Sequence, residues 1–248
     1  MKKANAAARK KMRIIDGHVF VGKSIFMEQK VDDLLAEMDK LGIEASVIVA
    51  PPPGPFYEDA NEFVMEAAKK HPNRLIPLYH ANPQLEKEEE RVRDALDVEG
   101  FVGIQLDPTN DGYFLRSHVV EPVVKVAEEL GRPVYVHSGD SIFCPPEYVA
   151  DLASKFESVN FITSMSIRAP RAARDRNNLY LLTRPFPTLF FKLGFAEEFD
   201  LDRLIFASDS PLDVAQIELR RIELAGLEPE VLRKILGDNL RRVLFKGA

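Results

Sequence analysis

Three short runs end in side chains that can bind an ion or move a proton: Ile15-Asp16-Gly17-His18-Val19-Phe20, Val136-His137-Ser138 and Ala207-Ser208-Asp209-Ser210-Pro211. Imidazole and carboxylate are donors for a divalent ion, and three of them with a water complete a catalytic zinc shell. The same groups can instead do acid–base work, because histidine titrates near neutrality and an aspartate removed from water becomes a stronger base. Asp107, in Gln105-Leu106-Asp107-Pro108, is a further candidate base; its plainer reading is a turn residue ahead of proline. Taken singly, a histidine at a strand end is usually a hydrogen-bonded structural residue and an aspartate there is often a helix N-cap. Their shared position, directly after apolar runs, favours chemistry. Asp16 reads as structural, and Cys144 as a small buried apolar residue rather than a nucleophile. No candidate strand ends in the lysine a Schiff base needs, and no glycine-rich phosphate loop occurs.

Short apolar runs alternate with amphipathic stretches, the pattern of a parallel sheet covered by helices. The runs are Arg13 to Phe20, Ala45 to Pro51, Arg74 to Ala81, Phe101 to Asp107, Pro133 to His137, Asn160 to Met165, Leu179 to Thr183 and Leu204 to Ser208. Helical spacing marks Val31 to Leu41, Ala60 to Lys70, Val119 to Leu130, and Leu227 to Leu244 with a break at Gly237. Eight strands in 248 residues predict an α/β chain folded as one (β/α)₈ TIM barrel over residues 12–248, with a flexible basic leader at 1–11. In such barrels the loops after the strands build the site, which is where the candidate residues lie.

Composition sets limits. With 46% hydrophobic and 29% charged residues the chain has no stretch for a membrane span, and a net charge of −6 without a basic stripe speaks against nucleic acid. One cysteine excludes an intrachain disulfide and fits a reducing cytoplasm, as does the lack of an apolar secretory segment near the start. The expected partner is a small-molecule substrate; an apolar patch on the outer helices leaves a homodimer open.

Five segments, in order and spacing, extend the reading: Ile14-Ile15-Asp16-Gly17-His18, Gly103-Ile104-Gln105-Leu106 with Pro108, Pro133 to His137, Ile205 to Pro211, and Leu236-Gly237-Asp238-Asn239-Leu240-Arg241-Arg242. On these the chain resembles, over residues 13–245, the amidohydrolase branch that includes aminocarboxymuconate-semialdehyde decarboxylase. The resemblance implies a metal site with two histidines from strand one in a His-x-His pattern, a histidine from strand five, an aspartate from strand eight, and a histidine on strand six near the reacting water. Carried over, it names His18, His137 and Asp209 as metal ligands. Two places depart from it: the second histidine falls on Phe20, and the strand-six histidine falls on Met165. Neither suits Zn²⁺.

Phe20, Met165, Arg184 and Phe186 would then line an apolar pocket, in which a desolvated Asp107 or Asp209, helped by His137, would abstract a proton from a small aromatic substrate. The expected function is thus a lyase of the Kemp-eliminase kind on a dismantled metal site, with no cofactor; redesign or natural drift would each account for the departures. One alternative is a metal-dependent hydrolase or decarboxylase using a reduced His18, His137 and Asp209 site with Zn²⁺. Another is a catalytically silent ligand-binding barrel.

Overall fold

The computed structural model describes residues 12–52, 59–138, 141–184 and 199–245. In chain order its strands are β1 Ile14–Phe20, β2 Gly22–Lys23, β3 Glu28–Gln29, β4 Ile43–Val49, β5 Leu75–Pro77, β6 Tyr79–His80, β7 Ile104–Leu106, β8 Val134–Val136, β9 Phe161–Thr163, β10 Leu179–Leu182 and β11 Leu204–Ile205. All eight expected runs are present, shorter than expected at most ends, and Arg74 to Ala81 divides into β5 and β6 around Leu78. The small antiparallel hairpin of β2 and β3 was not expected.

Pairing is parallel through β1, β4 and β5, and again from β6 through β7, β8, β9 and β10 to β11. β5 and β6 are two halves of one strand, the first bonded to β4 and the second to β7. The last strand meets the first: Gly17 N–H donates to Phe206 O at 2.8 Å and Phe20 N–H to Ser210 O at 2.8 Å. This is a (β/α)₈ barrel. Helices follow the strands as the alternation requires, among them Val31–Leu41, Ala60–Lys70, Val120–Glu129 and Pro146–Lys155.

The strand period of two divides the core into two sets. Ile15, Phe20, Val47, Val49, Leu78, Tyr135, Ile162, Tyr180, Ile205 and Ala207 fill the barrel. Ile14, Val19, Ile48, Ile104, Val134, Phe161, Leu181 and Phe206 face outward and meet helix residues such as Leu34, Met38, Val64, Val123 and Val149. Each such side chain, fully buried, contributes about 1.5–3 kcal/mol.

Two close approaches fix glycine. A Cβ on Gly17 would stand 2.7 Å from Ile205 Cγ2 and 2.8 Å from Phe206 O, so only glycine lets β1 lie this near the last strand. At Gly237 a Cβ would collide with the carbonyl oxygen of Arg13. The break expected at Gly237 is corrected accordingly: Pro229–Arg233 runs through a π turn, Lys234–Asp238, into Asn239–Leu244, and the glycine serves contact with β1. Among the described residues no helix is long and apolar enough to cross a membrane. The leader proposed at 1–11 lies outside the described residues.

Candidate active site at the carboxyl ends of the strands

Between Asp16 and Val19 the register of β1 against β4 shifts, and the irregular stretch carries Gly17 and His18. The chain after β11 runs alongside it, where Asp209 N–H donates to His18 O at 3.1 Å. Asp209 adopts a left-handed backbone, φ 53°, uncommon for a residue with a side chain and typical of positions held by a surrounding network. That conformation accompanies a buried contact: His18 Nδ1 lies 2.8 Å from Asp209 Oδ1, while His18 Nε2 lies 2.6 Å from Gln105 Oε1. Both ring nitrogens of His18 are therefore engaged. Behind them Asp16 Oδ1 accepts from Ser208 N–H at 2.9 Å and ties β1 to the last strand; burial lifts its pKa to about 7 against hydrogen bonds that lower it.

The neighbouring strand ends carry a second arrangement. His137, after β8, donates from Nδ1 to Asp107 Oδ2 at 3.0 Å. Asp107 caps the single helical turn Pro108–Asp111, accepting from Asn110 N–H at 3.3 Å and Asn110 Nδ2 at 2.8 Å. At the other end of that turn, Asp111 Oδ2 accepts from Nε2 of His80, the last residue of β6, at 2.9 Å. One helical turn thus orients two histidines, one on each flanking strand. Burial by itself would depress both imidazoles, but Asp107 and Asp111 outweigh it and raise His137 and His80. The rings of His18 and His137 stack with centroids 5.6 Å apart, and the fully buried Phe20 presses its ring edge-on to His18 at 4.8 Å and to His137 at 5.6 Å.

His18, His137, Asp107 and Asp209 therefore come together as expected of strand-end residues, but several expectations need correction. Desolvation does push Asp107 and Asp209 upward, yet His137 outweighs it at Asp107 and His18 at Asp209, so both carboxyls fall below the usual range. Neither is the desolvated base anticipated. Met165 is no pocket residue: it packs in the layer between sheet and helices, because the alternation that turns Ile162 inward turns Ser164 inward too. Ser164 is buried, and its hydroxyl has no hydrogen-bond partner among the described residues. Phe20 lies inside the barrel beside the imidazoles, Arg184, two residues beyond β10, forms an ion pair with Asp213, and Phe186 lies outside the described residues. Cys144 is buried, with a thiol pKa pushed up by that burial.

The sequence reading missed His80, Gln105, Asp111 and Ser164. His80 was detectable, since it too follows an apolar run. Asp111 was not, because its role depends on one turn of helix aiming it backward. Clefts of about 520 Å³ around Asn160 and Asn178 and of about 320 Å³ around Pro72 and Val102 adjoin residues that precede strands, at the opposite end of the barrel from these histidines.

The donors present suit a divalent ion in kind. His137 with its Nδ1 on a carboxylate is the arrangement that leaves Nε2 to coordinate, and His18 and Asp209 are already adjacent. The set is reduced: Phe20 occupies the place beside His18, and among the described residues no three of histidine, cysteine, aspartate and glutamate form a ready ion-binding group. Of the residues at these strand ends, His18, His137 and Asp209 are those whose donor atoms suit an ion, and His18 would have to give up one of its present contacts to reach it.

The sequence pattern of the family described as Amidohydrolase matches residues 22–246. None of the curated proteins matches this chain significantly. Similar solved structures include 5-carboxyvanillate decarboxylase LigW2 from Novosphingobium aromaticivorans with bound manganese and 3-methoxy-4-hydroxy-5-nitrobenzoic acid. It is 13% identical, covering 96% of this chain and 98% of its own, with a TM-score of 0.76. A 2,6-dihydroxybenzoate decarboxylase from Rhizobium is 16% identical over 94% and 98%, TM-score 0.74. A dihydroxybenzoic acid decarboxylase from Polaromonas, with bound manganese and 2-nitroresorcinol, is 16% identical over 94% and 97%, TM-score 0.73. The expectation that no cofactor is involved is corrected by these findings, since two of the structures just named carry manganese. The matches support neither the Kemp-type reading nor an engineered origin.

Proposed function

The chain belongs to the amidohydrolase family, and from that premise we propose that it is a non-oxidative decarboxylase of a small aromatic acid, working with a divalent ion at a reduced site of His18, His137 and Asp209. The observation that carries this reading is the convergence of two histidine–aspartate pairs at the carboxyl ends of β1, β7, β8 and β11, with the imidazoles of His18 and His137 stacked 5.6 Å apart. The aromatic carboxylic acids handled by the similar decarboxylases supply the substrate class.

The ion, when bound, supplies a Lewis acid for the substrate's oxygen atoms. The protein's own groups do the rest. Asp107 fixes the ring plane of His137 and keeps its Nε2 available, and one of the two present partners of His18, Gln105 or Asp209, would hold that ring while its other nitrogen turned to the ion. Phe20, packed at right angles against His18 and His137, gives an apolar flank that keeps water from these imidazoles. Arg184, largely buried and paired with Asp213, brings a guanidinium to the end of β10, where a carboxylate could be received.

The test is carbon dioxide release from 2,6-dihydroxybenzoate and from 5-carboxyvanillate by protein supplied with Mn²⁺. Release that stops on chelation and in His18→Ala is the expected result. Hydrolysis of an aromatic lactone without carbon dioxide release from either acid would move the assignment to a hydrolase, and activity indifferent to chelation would remove the ion from it.

A further inference from the structure

Decarboxylation of an aromatic acid breaks the bond between a ring carbon and the carboxyl carbon. The electron pair stays on the ring carbon, carbon dioxide leaves, and a proton must take its place. Most groups near the site are unsuited to give one. His18 has both nitrogens engaged, and His137 has Nδ1 on Asp107 and Nε2 assigned to the ion. Asp107 is occupied by His137 and Asn110, and Asp209 by His18.

His80 remains. It ends β6, two strands from His137, and the pairing of His80 with Gln105 across β6 and β7 sets it beside the strand that carries Asp107. Its placement is built with care: Asn61 Oδ1 accepts from His80 N–H at 2.8 Å, Asn61 Nδ2 donates to His80 O at 3.0 Å, and Gln84 Nε2 donates to Asp111 O at 2.8 Å. Nε2 rests on Asp111, whereas Nδ1 has no partner among the described residues and the side chain is 16% exposed. The charged and titratable groups facing it are Asp111, Asp107 and His137, and the two carboxylates favour its protonated form.

We infer that His80, oriented by Asp111, is the acid that delivers the proton to the ring carbon as carbon dioxide departs. The proton leaves Nδ1, whose bonding pair stays on the nitrogen. The imidazole becomes neutral with Nε2–H still on Asp111, and water returns the proton between turnovers. This assignment rests on the proposed decarboxylase reading for its substrate. Its chemistry, proton exchange at an activated ring carbon, can be read separately.

The experiment uses the full chain supplied with Mn²⁺ and two measurements: carbon dioxide release from 2,6-dihydroxybenzoate, and exchange of the ring hydrogen between the hydroxyls of resorcinol in D₂O, followed by proton NMR. His80→Ala should lower kcat by roughly 10²- to 10⁴-fold, the usual worth of a general acid, with KM little changed. Exchange should fall in parallel, and added imidazole should restore part of both, which a merely structural role would not allow. Should His80→Ala not fold, Asp111→Asn decides, with an expected loss of about tenfold or more in exchange. Release of carbon dioxide that is indifferent to both substitutions would overturn the acid and leave the decarboxylase reading standing. Exchange dependent on His80 without any carbon dioxide release would do the reverse, and absence of both activities would overturn both.

Discussion

Met165 packs against the helices that cover the sheet, so Met165→Ala should destabilise the protein by about 2–5 kcal/mol while leaving affinity for an aromatic acid unchanged. Denaturant melts alongside ligand titration check this; weaker ligand binding at undiminished stability would return Met165 to the mouth. Phe20 tests the reduced metal site from the other side. Its ring lies edge-on to His18, so Phe20→His supplies a donor beside an existing ligand and should tighten Mn²⁺ binding in equilibrium dialysis. Affinity unchanged or weakened would mean that position 20 cannot reach the ion. At this scale the sequence was readable where chemistry follows from residue type alone. His18, His137 and Asp209 stood out as polar residues after apolar runs, the resemblance named them as donors, and His18 lies against each of the other two. It was unreadable where a partner reverses an effect: desolvation argued for raised aspartates, and only the structure puts an imidazole against each one. The misplacement of Met165 was an error of one residue in a strand, which exchanges the two faces.

Gly17 marks where β1 and the last strand come close, and Gly17→Ala should cost about 1–3 kcal/mol, because the added methyl meets Ile205 and a backbone oxygen that have little room to move. A melting temperature equal to the parent's would show that the strands can separate to admit it. The helix Ala215–Leu224 carries a second test. Glu218 is buried on it, and burial lifts its pKa to about 7 although Thr183, Arg221 and Arg184 pull it down. The unfolded chain gives up this proton near pH 4.5, the folded one only near 7, so stability falls as pH rises between those values and stays low above. Glu218→Gln should therefore be more stable than the parent at pH 8, by as much as about 3 kcal/mol, and close to it at pH 4.5. Equal stabilities at pH 8 would mean that the carboxylate is better compensated than its surroundings indicate. Strands and helices were legible in the sequence because an apolar period of two or of three to four residues is a local signal. The hairpin of β2 and β3 escaped because two-residue strands have no period, and the π turn at Gly237 because its cause is a contact with Arg13, far away in the chain.

For the molecule as a whole, ionisation in the interior mostly runs in one direction. Asp16 and Glu218, raised to about 7, lose stability from about pH 4 to 7, and the raised His80 and His137 lose theirs as pH climbs past their folded values. The lowered Asp107 and Asp209 contribute above the ordinary aspartate range and lose that contribution only in stronger acid. Protein free of divalent ions should thus resist urea better at pH 5 than at pH 8; the opposite order would show that groups elsewhere dominate. The barrel itself follows from alternation and length, and it sets the donors on neighbouring strand ends. Whether those donors act together is the central claim, and Mn²⁺ titration followed by electron paramagnetic resonance tests it most directly. The account predicts one bound ion per chain in the parent and loss of that binding in His18→Ala and in Asp209→Asn. Binding that survives both substitutions undiminished, or a parent that takes up no ion, would contradict it.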